Sequence, residues 1–107
     1  MFRLVAAILI AATCPTSASS ATTISQYRDA ISYCAGEDVW NYDDGVSPAN
    51  VVAKILLGIC RRRNQALYSL ISAEHSNAFM AGFNRASEEE FTSFVLFHRA
   101  NKAKLPK

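Results

Sequence analysis

Residues 43–60 read DDGVSPANVVAKILLGIC and contain both a turn and the beginning of a helix. Aspartates hydrogen-bond to their own backbone and glycine adopts positive φ at little steric cost, so the Asp-Asp-Gly triplet at 43–45 predicts a tight turn. Ser47 is a favoured helix cap, and Pro48 suits the first helical position because the amide it lacks would have no partner there. The stretch therefore predicts a turn that leads into a helix.

The apolar pattern after this turn predicts a helix from Pro48 to at least Ser72. Its apolar residues recur every three to four positions over a wide arc, which is typical of a helix packed on two sides. They are Val51, Val52, Ile55, Leu56, Ile59, Cys60, Leu67, Leu70 and Ile71. Gly58 costs a helix about 1 kcal/mol relative to alanine, so we expect a neighbouring helix to approach closely there.

A first helix is predicted upstream of the turn. Thr23 and Gln26 have the spacing of a capping box, which marks a helix start. One apolar face follows at helical spacing, formed by Ile24, Tyr27, Ile31 and Cys34. The helix ends at Gly36 or continues to about Trp40.

Two further helices are predicted downstream. The pattern weakens over residues 72–77, where we expect a kink or break, and a short helix covers 78–83. Ser87 and Glu90 then form a second capping box, which begins a last helix that ends near Ala103. No stretch shows the alternation of a strand, so the predicted fold is all-α, with three to four helices.

The N-terminus has the three parts of a secretory signal peptide. Arg3 precedes an apolar run over 4–12, and small residues follow. The run is shorter than the roughly 20 apolar residues that span a bilayer. We predict a signal peptide over 1–21 and a single helical domain over 22–107, with cleavage after Ala18 as the alternative. A lipid anchor on Cys14 is a second alternative, which Thr13 before it disfavours.

Removal of the signal peptide leaves two cysteines, Cys34 and Cys60. An even pair in an exported protein predicts one disulfide, which here closes a loop of about 25 residues and contributes roughly 3 kcal/mol. The same cleavage removes Arg3 and leaves 10 basic against 9 acidic residues, a net charge of +1. A balance so near zero argues against nucleic acid as a partner, because that interaction needs a basic excess.

Catalytic and metal sites find little support in the sequence. Placing Gly45 at the sixth position of a calcium loop puts Trp40 and Tyr42 at the first two carboxylate positions, which excludes an EF-hand. A looser carboxylate site formed by Asp38, Asp43 and Asp44 is the alternative to the turn. His75 and His98 lack the spacing of zinc ligands. No nucleophile elbow, P-loop or dinucleotide fingerprint occurs. We therefore predict no enzyme, no metal and no cofactor.

Three groups of residues invite interaction hypotheses instead. The first is the aromatic pair Trp40 and Tyr42, as partner contacts if they are exposed. The second is the cationic run Arg61, Arg62 and Arg63, which binds an acidic partner or a phosphate, or else forms a solvated face. The third is the set of phenylalanines near the C-terminus, which complete the core or leave a binding patch. They are Phe79, Phe83, Phe91, Phe94 and Phe97.

Residues 43–60 and the later SFVLFHRA, residues 93–100, together resemble a family of small secreted or periplasmic helical proteins of Gram-negative bacteria. In that pattern an acidic pair, a glycine and a serine cap lead into a helix with a Val-Ala pair and a cysteine, and a second cysteine lies upstream. The family has no known activity. The resemblance implies an exported helical protein with a disulfide and transfers no catalytic residue.

The prediction for function is a non-catalytic domain, periplasmic or secreted, that binds a protein partner in the cell envelope. Such a domain acts as an accessory protein, an inhibitor or an assembly factor, and has no transmembrane span after cleavage. The alternative is a carrier of a small apolar ligand, with a pocket between helices lined by Phe79, Phe83 and Phe94. An internal cavity of about 300 Å³ or more would favour the carrier.

Overall fold

A computed structural model describes the backbone of residues 16–104 and the side chains of residues 21–104. This part of the chain forms four helices and no strand, which confirms the predicted all-α class. In chain order they are α1 (Thr16–Tyr42), α2 (Ala49–Arg63), α3 (Gln65–Glu74) and α4 (Asn77–Lys102). The predicted signal peptide over 1–21 falls mostly outside the described residues, and Cys14 lies outside them entirely.

The core forms around α2, which packs on α1 on one side and on α4 on the other. Its buried residues recur every three to four positions and are Val52, Ala53, Leu56, Leu57 and Cys60. Helix α1 contributes a matching apolar row at the same spacing. Complete burial of a side chain such as Leu56 stabilises the fold by roughly 2 kcal/mol. Helices α1 and α4 make few contacts with each other, so a seam separates them.

Helix α1 is longer than the sequence predicts. It already contains Thr16, so Thr23 lies inside the helix and does not begin it. At the other end the helix continues through Gly36 to Tyr42, which agrees with the longer of the two predicted ends. The continuation buries Val39 against the core, and this burial offsets the cost of a glycine within a helix.

The single helix predicted from Pro48 to Ser72 is wrong, because the chain breaks at Asn64. Asn64 leaves helical geometry at φ −119° and ψ 34°. Its side-chain amide donates to the carbonyl of Cys60 at 3.0 Å, so the side chain competes locally with the helical ladder. The chain resumes as α3, which ends at Glu74, inside the break predicted for 72–77.

The expected start of a helix at Ser87 is also wrong, since α4 runs without interruption from Asn77. Its cap is Ser76, whose hydroxyl accepts a hydrogen bond from the amide of Phe79 at 3.1 Å. Ser87 is buried in mid-helix, and its hydroxyl donates to the carbonyl of Phe83 at 2.9 Å. The end of α4 at Lys102 agrees with the predicted end near Ala103.

Helix α2 packs on two neighbouring helices, as predicted, but two residues of its predicted apolar stripe face solvent. Val51 is 43% exposed and Ile55 is 47% exposed. A Cβ atom added at Gly58 would meet only the Nη1 atom of Arg62, at 3.8 Å, so no other helix approaches there. The turn at Asn64 directs α3 towards α1 instead of along this face.

Candidate partner-binding surface

The predicted disulfide between Cys34 and Cys60 is present, with the sulfur atoms 2.08 Å apart. It joins α1 to α2. Beside it, Nη1 of Arg63 lies 2.6 Å from Oδ2 of Asp38, whose side chain is largely buried. The same guanidinium atom is 3.7 Å from the sulfur of Cys34. Because the two sulfurs are bonded to each other and Asp38 is paired with Arg63, these groups serve to hold α1 on α2.

The loop between α1 and α2, residues 43–48, forms the turn that the sequence predicts. Gly45 has φ 74°. Oδ1 of Asp44 accepts hydrogen bonds from the amides of Val46 and Ser47 at 2.9 and 2.8 Å. The hydroxyl of Ser47 donates to Oδ2 of Asp44 at 2.7 Å. These bonds, led by the one from the Ser47 hydroxyl, lower the pKa of Asp44 to about 2.

Ser47 therefore does not cap α2, contrary to the prediction. Its hydroxyl is engaged with Asp44, and Pro48 takes the cap position. The carbonyl of Pro48 accepts the amide of Val52 at 3.2 Å, which is the first α-helical bond of α2. The sequence pattern located this helix start within one residue but assigned the wrong cap.

Asp43 makes the contact that sequence reasoning missed. Its side chain is only 2% exposed and accepts hydrogen bonds from Arg99 of α4, from Nε to both oxygens at 3.1 Å and from Nη2 at 2.7 Å. Nη2 of Arg99 also donates to the carbonyl of Ser47 at 2.7 Å. Hydrogen bonding from Arg99 lowers the pKa of Asp43, and the same bonds raise that of Arg99. No local pattern indicates a pair whose members are 56 residues apart.

Trp40 and Tyr42 lie next to this pair, at the end of α1, and both are exposed. Trp40 is 54% exposed and Tyr42 45%. The ring of His98, which is buried in α4, meets the indole of Trp40 edge to face with centroids 4.6 Å apart. Nζ of Lys102 lies 5.9 Å from the indole centroid. The indole is thus supported by α4 and still presents surface to solvent.

The three arginines predicted as a cationic run point to different surroundings. Arg63 is paired with Asp38 as described above. The guanidinium of Arg61 lies over the ring of Tyr68 at 4.7 Å and donates to the side-chain oxygen of Asn84 at 3.3 Å. Arg62 is exposed. The three guanidinium groups therefore lie apart: Arg63 is beside the disulfide, Arg61 is between α3 and α4, and Arg62 is in solvent.

The three phenylalanines predicted to line a pocket divide into two groups. Phe79 and Phe83 stack on each other with centroids 5.9 Å apart, and Phe83 also contacts Tyr27. Phe94 lies eleven residues further along α4, about 16 Å at the helical rise. It lines a small cavity of about 180 Å³ with Ala35 of α1. Phe91 is in the core, as one of the two hypotheses for these rings expects.

Within residues 16–104, no helix is both long and apolar enough to cross a membrane. Comparisons with protein-family models, with curated proteins and with solved structures give no match for this chain. The resemblance to exported Gram-negative proteins therefore stays a prediction, and the surface around Trp40 is the feature from which function is inferred.

Proposed function

We propose that this chain is an exported, non-catalytic helical domain that binds a protein partner in the cell envelope, with Trp40 as the central contact. The disulfide supports the compartment, because such bonds persist in oxidising environments and are rare in the cytosol. The predicted signal peptide supports it independently, since it is read from residues that do not include the cysteine pair.

The single observation that carries the proposal is that Trp40 is exposed to solvent while its indole is packed against α4. Tryptophan is among the residues most enriched at the energetic centres of interfaces. More than half of this side chain faces solvent, and burial of its exposed area on binding would be favourable. His98 and Lys102 already contact the indole, so little side-chain freedom is lost when a partner covers it.

The backbone around Trp40 is fixed both before and after this residue in the sequence. The disulfide fixes α1 six residues earlier, at Cys34. The pair formed by Asp43 and Arg99 fixes the chain three residues later. A rigid exposed aromatic anchor is the feature expected of a pre-formed protein-binding surface.

The test is affinity capture from an envelope extract with the wild-type protein and with the Trp40→Ala variant. We expect a specific partner to be recovered by the wild type and reduced at least about tenfold by the variant, as for an interface hot spot. Leu70→Ala is the control, because Leu70 is as exposed as Trp40, at 54%, and lies on α3, not on the face of α1 that carries Trp40. Equal recovery by all three proteins would overturn the assignment of Trp40.

The alternative, a carrier of an apolar ligand, draws less support. The cavity at Phe94 is about 180 Å³, below the roughly 300 Å³ at which small-molecule pockets begin. The larger depression that Phe94 lines is open to solvent. A lipid or metabolite that copurifies with the protein in place of a protein partner would favour the carrier.

A further inference from the structure

The acidic run Glu88 to Glu90 lies in the middle of α4, so it satisfies no helix terminus. Glu90 is paired with Arg28 of α1 at 2.9 Å, across the seam between these helices. Among residues 21–104, the side chain of Glu89 makes no hydrogen bond or ion pair, and it is exposed. Arg85 and Lys54 line the surface on its other side, but neither forms an ion pair with its carboxylate.

A shallow depression lies beside Glu89 on the same flank of α4. It has a volume of about 540 Å³ and is lined by Ala86, Glu89, Glu90, Ser93, Phe94 and Phe97. We call it the α4 depression. Ala86 and Ser93 are small, so the surface is lower there than at Phe97, which is 67% exposed. The result is a recess bounded by aromatic rings at one end and carboxylates at its side.

The lining residues follow the spacing at which one helix contacts another. Ala86, Glu90, Ser93 and Phe97 are separated by four, three and four positions, so they lie along one face of α4. They extend over about 16 Å of α4. The smaller cavity formed by Phe94 with Ala35 adjoins this flank, since Glu90 and Phe94 line both. The seam between α1 and α4 thus continues the groove.

We propose, on the basis of the proposed function, that the α4 depression docks a basic amphipathic helix of the partner protein. An apolar side chain of that helix fills the recess between Ser93 and Phe97, and a lysine or arginine pairs with Glu89. An amphipathic helix in an apolar groove is a recurring mode of recognition, and the charge on the rim selects the sign of the partner.

The probe is a synthetic helical peptide of about 18 residues, five turns, with leucines at heptad spacing and lysines beside them. A matched peptide carries glutamates in place of the lysines. Both are titrated into the purified disulfide-bonded protein, with affinity measured by fluorescence anisotropy and contacts by amide chemical shifts. We expect the lysine peptide to bind at least about tenfold more tightly, with the largest shifts at Ala86, Ser93 and Phe97.

Two variants and a control locate the interaction. Phe97→Ala weakens binding of the lysine peptide at least about tenfold, since it removes one end of the recess. Glu89→Lys reverses the preference between the two peptides. Leu96→Ala changes an apolar residue that is 55% exposed and lies about 100° around the helix from Phe97, and it leaves the affinity unchanged.

Three results would overturn the inference: equal affinity for the two peptides, chemical shifts away from the α4 depression, or a dimer whose second copy covers the depression. Envelope capture separates this failure from failure of the proposed function. Partner recovery that depends on Trp40 but is unchanged by Phe97→Ala rejects only the α4 depression. Peptide binding as expected, with no Trp40-dependent partner in the extract, rejects the proposed function around Trp40.

Discussion

Asp43 and Asp44 are neighbours in sequence, yet they stabilise different parts of the molecule. Asp44 is exposed, and its bonds reach only two and three residues ahead, to Val46 and Ser47. Asp43 is buried and is bonded to Arg99 at the other end of the chain. Asp44 therefore bonds only within the loop, whereas Asp43 accepts the amide of Gly45 at 3.0 Å and also attaches the loop to α4.

The stability of the protein should decrease in acid because of these two carboxylates. Both have a pKa below the ordinary value in the folded state, so their contribution is present above the unfolded pKa and is lost as pH falls through the folded pKa. For Asp44 the window runs from the ordinary value of 3.8 down to about 2. We expect the unfolding free energy to fall across this window in urea titrations followed by circular dichroism.

The Asp44→Asn variant isolates one of the two groups. Its side-chain oxygen still accepts hydrogen bonds from the loop amides, but the group no longer titrates. The variant should lose less stability than the wild type between about pH 4 and about pH 2. If the unfolding free energies of the two proteins fell by the same amount over this pH range, the contribution assigned to Asp44 would be contradicted.

At the level of the elements, the break at Asn64 determines where α3 lies. After the break, α3 packs against α1, where the ring centroids of Tyr68 and Tyr27 lie 5.6 Å apart. The hydroxyl of Tyr68 then donates to the side-chain oxygen of Asn84 in α4 at 3.1 Å. The departure of Asn64 from helical geometry thus allows α3 to pack against α1 and α4.

The continuity of α4 can be tested with two serine substitutions. Ser76→Ala removes the cap at the true start and should lower the unfolding free energy by about 1 kcal/mol. Ser87→Ala removes only a hydroxyl that donates to a carbonyl of its own helix, so its cost should be less than half of that. Urea denaturation of both variants measures the difference.

A larger loss of unfolding free energy in Ser87→Ala than in Ser76→Ala would support the helix start that the sequence pattern predicts at Ser87. Far-ultraviolet circular dichroism is the control, because neither change should reduce the helical content of the folded protein. A loss of helix in Ser87→Ala alone would indicate a separate last helix.

For the molecule as a whole, the disulfide and several polar contacts link elements that are distant in sequence. The disulfide joins α1 to α2, Asp43 joins the loop to α4, and Arg28 joins α1 to Glu90 of α4. The last pair is exposed and contributes little, as is usual for surface ion pairs. The disulfide and the pair formed by Asp43 and Arg99 are thus the principal cross-links of the fold.

Reduction of the disulfide should lower the unfolding free energy by roughly 3 kcal/mol, because the bond restricts the unfolded chain between Cys34 and Cys60. Urea denaturation with and without reductant measures the change, and intact mass after alkylation reports the state of the thiols. A change below about 0.5 kcal/mol would show that helix packing alone holds α1 on α2.

The sequence predicted the turn and the disulfide, but it predicted neither the helix caps nor the polar contacts between residues distant in sequence. The turn at 43–45 and the pairing of Cys34 with Cys60 were predictable, because the first depends on adjacent residues and the second on parity. Trp40 and Tyr42 were recognised as candidates, but their exposure depends on what α4 covers. The contact between Trp40 and His98 was not predictable, since it arises from packing between helices that are distant in sequence.

By itself, the sequence determined the all-α class, the turn before α2, the disulfide and the end of α4, because periodicity and turn chemistry are local properties and cysteine parity is a property of composition. Only the tertiary structure decided that α2 ends at Arg63 and that α4 passes uninterrupted through Ser87. It also decided that Asp43 meets Arg99. These outcomes depend on which surfaces the folded chain buries, since a serine or an asparagine is compatible with either a cap or a helix interior until its neighbours are in place.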